Sequence, residues 1–173
     1  MIEQILLKAD QPYPNSMLPV LFYPGAFREI VETDDPAQNG IDLFKENGYT
    51  NAWVNGIFPY HHFHSNTHEV LACISGEASV QLGGPNGKII KFSKGDVLLL
   101  PAGTAHKRIK ASKDFKIIGA YPKGIEYNTY KSEDVSSDDE YKRIKQEIKK
   151  VSVPALDPVQ SKGGAVKKYW KTN

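Results

Sequence analysis

Four of the chain's five histidines lie in one short stretch, GIFPYHHFHSNTHEVLACISG, from Gly56 to Gly76. They are His61, His62, His64 and His68, and Glu69 follows directly. The fifth, His106, closes a second stretch, GDVLLLPAGTAH, that begins at Gly95. Three imidazoles and one carboxylate are a metal-ligand set. The chain can assemble that set only if it brings His106 back to the first cluster, and this requirement constrains the fold. Side chains alternate along a strand, so His62 and His64 share one face while His61 and Phe63 take the other. The turn Ser65-Asn66-Thr67 then reverses the chain, and Glu69 opens the next strand beside the pair. His106 follows the tight turn Pro101-Ala102-Gly103, a rigid way to aim one side chain.

The surrounding sequence has the pattern to do this. Short β-type runs are expected near 50–58, 61–65, 69–74, 77–83, 88–92, 97–100, 105–110 and 115–121. Turns fall at Gly83-Gly84-Pro85-Asn86-Gly87, Ser93-Lys94-Gly95-Asp96 and Pro101-Ala102-Gly103. Many short strands with regular turns indicate an all-β sandwich or closed barrel. In QLGGPNGKII, Asn86-Gly87 is expected to supply the positive φ angles of a hairpin. In a small barrel, inward-facing residues of several strands meet near the axis, where His62, His64, Glu69 and His106 can converge.

The flanks read differently. Residues 1–16 are broken by prolines and suit a loop or edge strand. Leu18 to Tyr23 suits a strand closed by Pro24-Gly25. A helix is expected over 35–47, with Asp35 as cap, Pro36 at the first position and Gly48 at the stop; Gly40 weakens it by ~1 kcal/mol. A C-terminal helix begins at a Ser137/Glu140 capping box and repeats Tyr141, Ile144, Ile148 and Val151 on one face. Its other face, rich in Lys, Arg, Glu and Gln, reads as solvated. The tail from Pro154 holds Trp170, which pins it to the core or to a second subunit. The expected organisation is one domain overall: an extension over 1–49, a core over 50–122, and a helix and tail over 123–173.

The two histidine stretches resemble the cupin superfamily. Its first motif is matched by Gly56, His62, His64, Glu69 and Gly76 at the family's spacings, and its second by Gly95, Pro101, Gly103 and His106. Lys110 stands where the second motif has Asn. More narrowly, NGIFPYHHFHSNTHEVL, GDVLLLPAGTAHKRI and FKIIGAYPKG look like the YjlB-type group of small bacterial cupins. The resemblance implies a jelly-roll-like β-barrel with a short N-terminal helix and a C-terminal helix. It implies a divalent metal (Fe, Mn, Ni, Zn or Cu) on His62, His64, Glu69 and His106, and frequent homodimers.

Other residues near the site carry two readings. His61 and His68 are out of phase with the ligand pair. They either support a ligand or pack as ordinary histidines, and the second reading is the simpler. Cys73 is in phase with Glu69 and Leu71 and suits a small core residue. Tyr60, in phase with His62, either lines the pocket or packs as core. Arg108, in phase with His106, either binds an anionic substrate group by its guanidinium fork or extends out of the barrel mouth.

Several classes are disfavoured. A net charge of +2 argues against nucleic acid or an anionic membrane as main partner. No apolar run approaches the ~18 residues of a membrane span, the N-terminus has no signal-peptide pattern, and the single cysteine allows no internal disulfide. A cytoplasmic protein is the expectation. Nucleophile-elbow, phosphate-loop and dinucleotide motifs are absent from the sequence. Two functions remain. One is a metal-dependent enzyme, of dioxygenase, decarboxylase or isomerase type, acting on a small polar molecule. The other is a non-enzymatic module that binds a small molecule or a metal.

Overall fold

The computed structural model describes residues 1–171. Its centre is β4 (Glu69–Ser75), whose run EVLACIS lacks the alternation of a half-exposed strand. The reason is burial on both faces. Val70, Ala72 and Ile74 join one core cluster, whereas Leu71 and Cys73 join another. β4 lies between β7 (Val97–Leu100) and β9 (Lys116–Pro122) in a six-stranded sheet. β1 (Glu3–Ile5), β2 (Val20–Tyr23) and β3 (Tyr49–Asn55) complete it, in the order β1-β2-β7-β4-β9-β3. A second sheet has the order β6-β5-β8, from β5 (Glu77–Leu82), β6 (Lys88–Ser93) and β8 (His106–Ala111). All the pairings within these sheets are antiparallel.

The two sheets form a sandwich. Leu71, Leu98 and Ile117 of the larger sheet meet Val80, Leu82 and Phe92 of the smaller one. The opposite face of the larger sheet is covered by α1 (Pro36–Glu46) through Phe44, and by the tail through Ala165, Val166 and Trp170. α2 (Asp138–Lys149) buries Ile144 in a third cluster with Tyr13, Phe63 and Ala105. Trp170 donates its indole N–H to the Pro19 carbonyl at 2.8 Å, which ties the tail to the core.

Several expectations need correction. Residues 61–65 form no regular strand. They are held by single bridges, His62 to His106 and Phe63 to Tyr130. In the β5–β6 connection the positive φ angles belong to Gly83 (96°) and Gly84 (97°), not to Asn86-Gly87. Asn86 instead reaches Asp10 through its backbone and side-chain nitrogens. At α2, Ser137 accepts from the Glu140 amide, but the Glu140 carboxylate is taken by Arg143 rather than by the Ser137 amide. α1 is capped as expected, with Asp35 accepting from the Gln38 amide at 3.1 Å. Gly40, however, is a packing residue. A Cβ there would stand 2.5 Å from Ile118 Cδ1 and 3.0 Å from Phe27.

Candidate metal centre

The histidine cluster is assembled by backbone hydrogen bonding. His62 and His106 exchange both amide-to-carbonyl bonds, at 3.2 and 2.9 Å, which sets the irregular segment against the start of β8. His64 lies two residues further, near the N-terminal end of β4. All three are almost fully buried. Each ring has its Nδ1 on a backbone carbonyl: His62 on Tyr60 and His106 on Thr104, both at 3.0 Å, and His64 on Asn128. A carbonyl only accepts, so each Nδ1 is a protonated nitrogen, and in the neutral ring each Nε2 keeps its lone pair. The ligand atoms offered by the three rings lie within 4.8 Å of one another.

Glu69, also buried, reaches two of the three rings. Its Oε2 is 3.4 Å from His64 Nε2 and its Oε1 is 3.3 Å from His106 Nε2. Tyr121 donates to Oε2 at 2.7 Å and itself accepts from the Trp53 indole N–H at 2.7 Å. Oε1 is buried with no hydrogen-bond partner among the described residues. Burial by itself would raise the Glu69 carboxyl, but the neighbouring His64 and His106 outweigh it and hold the group well below its ordinary range. For His64 burial opposes the charge, yet the Glu69 carboxylate raises it overall. His62, buried and beside His106, falls to about 3 and is neutral at ordinary pH.

These residues fit a divalent cation. Three imidazoles gather within 4.8 Å of one another, and Glu69, which lies outside that group of three, sets a carboxylate with one unpartnered oxygen beside two of them. Acceptors facing acceptors are unfavourable unless a positive charge lies among them. Orientation of each ring through a bond at its far nitrogen is the arrangement that prepares histidines for a metal. Sequence spacing alone does not reveal Tyr121 and Trp53, which hold Glu69, or Asn128, which orients His64. They come from other elements and belong to no motif.

The cluster opens into a cavity of about 260 Å³. His62, His64, Glu69 and His106 lie in its wall together with Trp53, Tyr121 and Arg108. Tyr60 does not line it. Its ring is stacked on Phe58 at 5.0 Å, partly exposed, and its carbonyl orients His62. His61 is set against Tyr13, outside the wall. His68 points to the other face of β4. It accepts from the Ala102 amide at 2.9 Å, donates to the Ser152 carbonyl at 3.0 Å, and packs on Trp170. Both of its nitrogens are therefore used in joining the Pro101 turn to the tail. Cys73 faces the core between the sheets, and Lys110 is exposed on β8.

The family model for the Cupin domain matches residues 50–118. The uncharacterized protein YjlB of Bacillus subtilis (strain 168) is 40% identical over 128 residues, which are 74% of this chain and 75% of that protein. Acireductone dioxygenase from Bacillus anthracis, solved with a cadmium ion in its active centre, is 17% identical with a TM-score of 0.40, over 59% of this chain and 77% of that one. Procruciferin, an 11S globulin from Brassica napus, is 23% identical with a TM-score of 0.37, over 48% of this chain and only 20% of that one.

Proposed function

The chain belongs to the cupins, in the small bacterial group of the YjlB type, and from that premise we propose that it holds one divalent metal ion on His62, His64, Glu69 and His106 and acts as a metal-dependent enzyme on a small polar molecule. The observation that carries the reading is the gathering of three buried imidazoles within 4.8 Å, with the carboxylate of Glu69 against two of them and its Oε1 without a hydrogen-bond partner. Fe, Mn, Ni, Zn and Cu all suit three imidazoles and a carboxylate. When bound, the ion supplies Lewis acidity, or O₂ activation if it is iron, for dioxygenase, decarboxylase or isomerase-type chemistry.

The chain's own residues prepare the reaction space. Backbone carbonyls hold each ring in one tautomer. Tyr121, held by Trp53, fixes Glu69 in rotation. Ile57, Leu71 and Ile117 line the cavity with apolar surface and limit water there. In this reading the two sheets are the two faces of the family's jelly-roll barrel, and the metal lies between them at one end.

Elemental analysis of untagged protein, purified without chelators or added metals, tests the proposal. One transition-metal ion per chain is the expected result. No metal, with no uptake when each of the five ions is added in turn, would overturn it in favour of a metal-free binding module.

A further inference from the structure

Arg108 stands in the cavity wall two residues beyond His106 on the same face of β8. That spacing places the two Cα atoms roughly 6.5–7 Å apart along the strand. The residue is half-buried, yet its guanidinium makes no hydrogen bond and no ion pair with any described residue. Arg143 on the surface shows the contrast, since it is engaged by Glu140, Glu147 and Tyr130. The Arg108 Nη1 lies 3.9 Å from where a Cβ on Gly56 would stand, and Gly56 is itself part of the cavity wall. A half-buried guanidinium on a mostly apolar wall, with no counter-charge from the protein, is available to a ligand that supplies one.

The rest of the wall narrows the choice. Arg108 is its only cation among the described residues, and its only carboxylate, Glu69, lies against His64, His106 and Tyr121 rather than Arg108. Asn55 uses its Oδ1 to accept from the Gly56 amide at 2.8 Å, which leaves its amide N–H groups without an acceptor among the described residues. Aromatic and aliphatic side chains, including Trp53, Ile57 and Leu71, make up much of the remaining wall. At about 260 Å³ the cavity is small, below the roughly 300–1,000 Å³ of drug-sized pockets.

We propose that Arg108 is the anion-recognition residue of this cavity, and that the ligand is a small organic molecule of a few carbons carrying one carboxylate. The guanidinium fork receives the carboxylate, and the other end of the molecule faces His62, His64 and His106. One planar fork matches one carboxylate, whereas a phosphate dianion would call for more positive charge than this end of the wall holds. The placement of the ligand's other end rests on the metal-centre reading; the anion site does not.

The test is calorimetric titration of the metal-supplemented protein with propionate and lactate, each beside its uncharged amide, with the metal content of every sample measured in parallel. The wild type should prefer the carboxylates. Arg108→Gln should weaken carboxylate binding roughly 10- to 100-fold while leaving amide binding and metal content unchanged, and Arg108→Lys should fall between. No preference for carboxylate over amide in the wild type, or unchanged carboxylate affinity in Arg108→Gln, would overturn the proposal. Protein that takes up no metal yet prefers carboxylates through Arg108 would keep the anion site and remove the metal centre. Metal-loaded protein whose carboxylate affinity ignores Arg108 would do the reverse.

Discussion

His106 and His68 test the ligand assignment from opposite sides. His106→Ala removes one converging Nε2 and should sharply lower metal content measured by mass spectrometry. His68→Ala should leave metal content near that of the wild type but cost roughly 2–4 kcal/mol in urea unfolding, because the buried Ala102 amide and Ser152 carbonyl both lose their partner. Tyr121→Phe acts at one remove. It takes away the donor that fixes Glu69 and the acceptor of the Trp53 N–H, so metal affinity should fall roughly 10- to 100-fold. An unchanged dissociation constant in a competition assay with a chelator would show that Tyr121 does not position the carboxylate. At this scale the gathering of His62, His64, Glu69 and His106 was readable from their spacing in the two stretches, although bridges rather than a strand hold residues 61–65. The partners of those residues were not readable. Tyr121 and Asn128 reach the site through packing of distant segments, and no local pattern encodes that.

At the scale of elements, the sequence reading succeeded where local chemistry decides. Asp35 and Pro36 start α1, and β4 covers the run expected near 69–74. It failed where tertiary contacts override local preference. His61 to Ser65 have strand-like alternation, yet only isolated bridges hold them, because Tyr130 and His106 offer partners at single positions. Gly40 makes the same point with opposite sign. In an isolated helix Gly→Ala gains ~1 kcal/mol. Here the added methyl would press on Ile118 and Phe27, and overpacking of that kind costs roughly 1–3 kcal/mol. Gly40→Ala should therefore lower the unfolding midpoint, and a rise would show that α1 can shift outward freely.

Across the whole molecule, two layers enclose the larger sheet, the smaller sheet on one face and α1 with the tail on the other, and no helix among the described residues is long and apolar enough to cross a membrane. Cys73 sits where β4 meets the second sheet, fully buried, and burial first of all pushes its thiol up to about 12. Reaction with a thiol reagent at neutral pH should wait for opening of the sandwich, so its rate should follow global unfolding through a urea series. Fast labelling in native buffer would mean that the sheets part locally. The tail was foreseen as pinned by Trp170, and the bond to Pro19 does this. Its role behind His68 was not foreseen, because it depends on which strand face the tail covers.

The paired peptide bonds between His62 and His106 divide the site into two parts that can evolve separately. Gly56 to Pro59 supply cavity wall, and the segment is bonded to β8 at Phe58 and again at His62. Substitutions at Ile57, Phe58 or Pro59 can reshape what the cavity admits while the rung at His62 keeps the imidazoles in register. A lineage built on this frame can therefore change its substrate by altering a short strap, with the metal-binding geometry inherited intact.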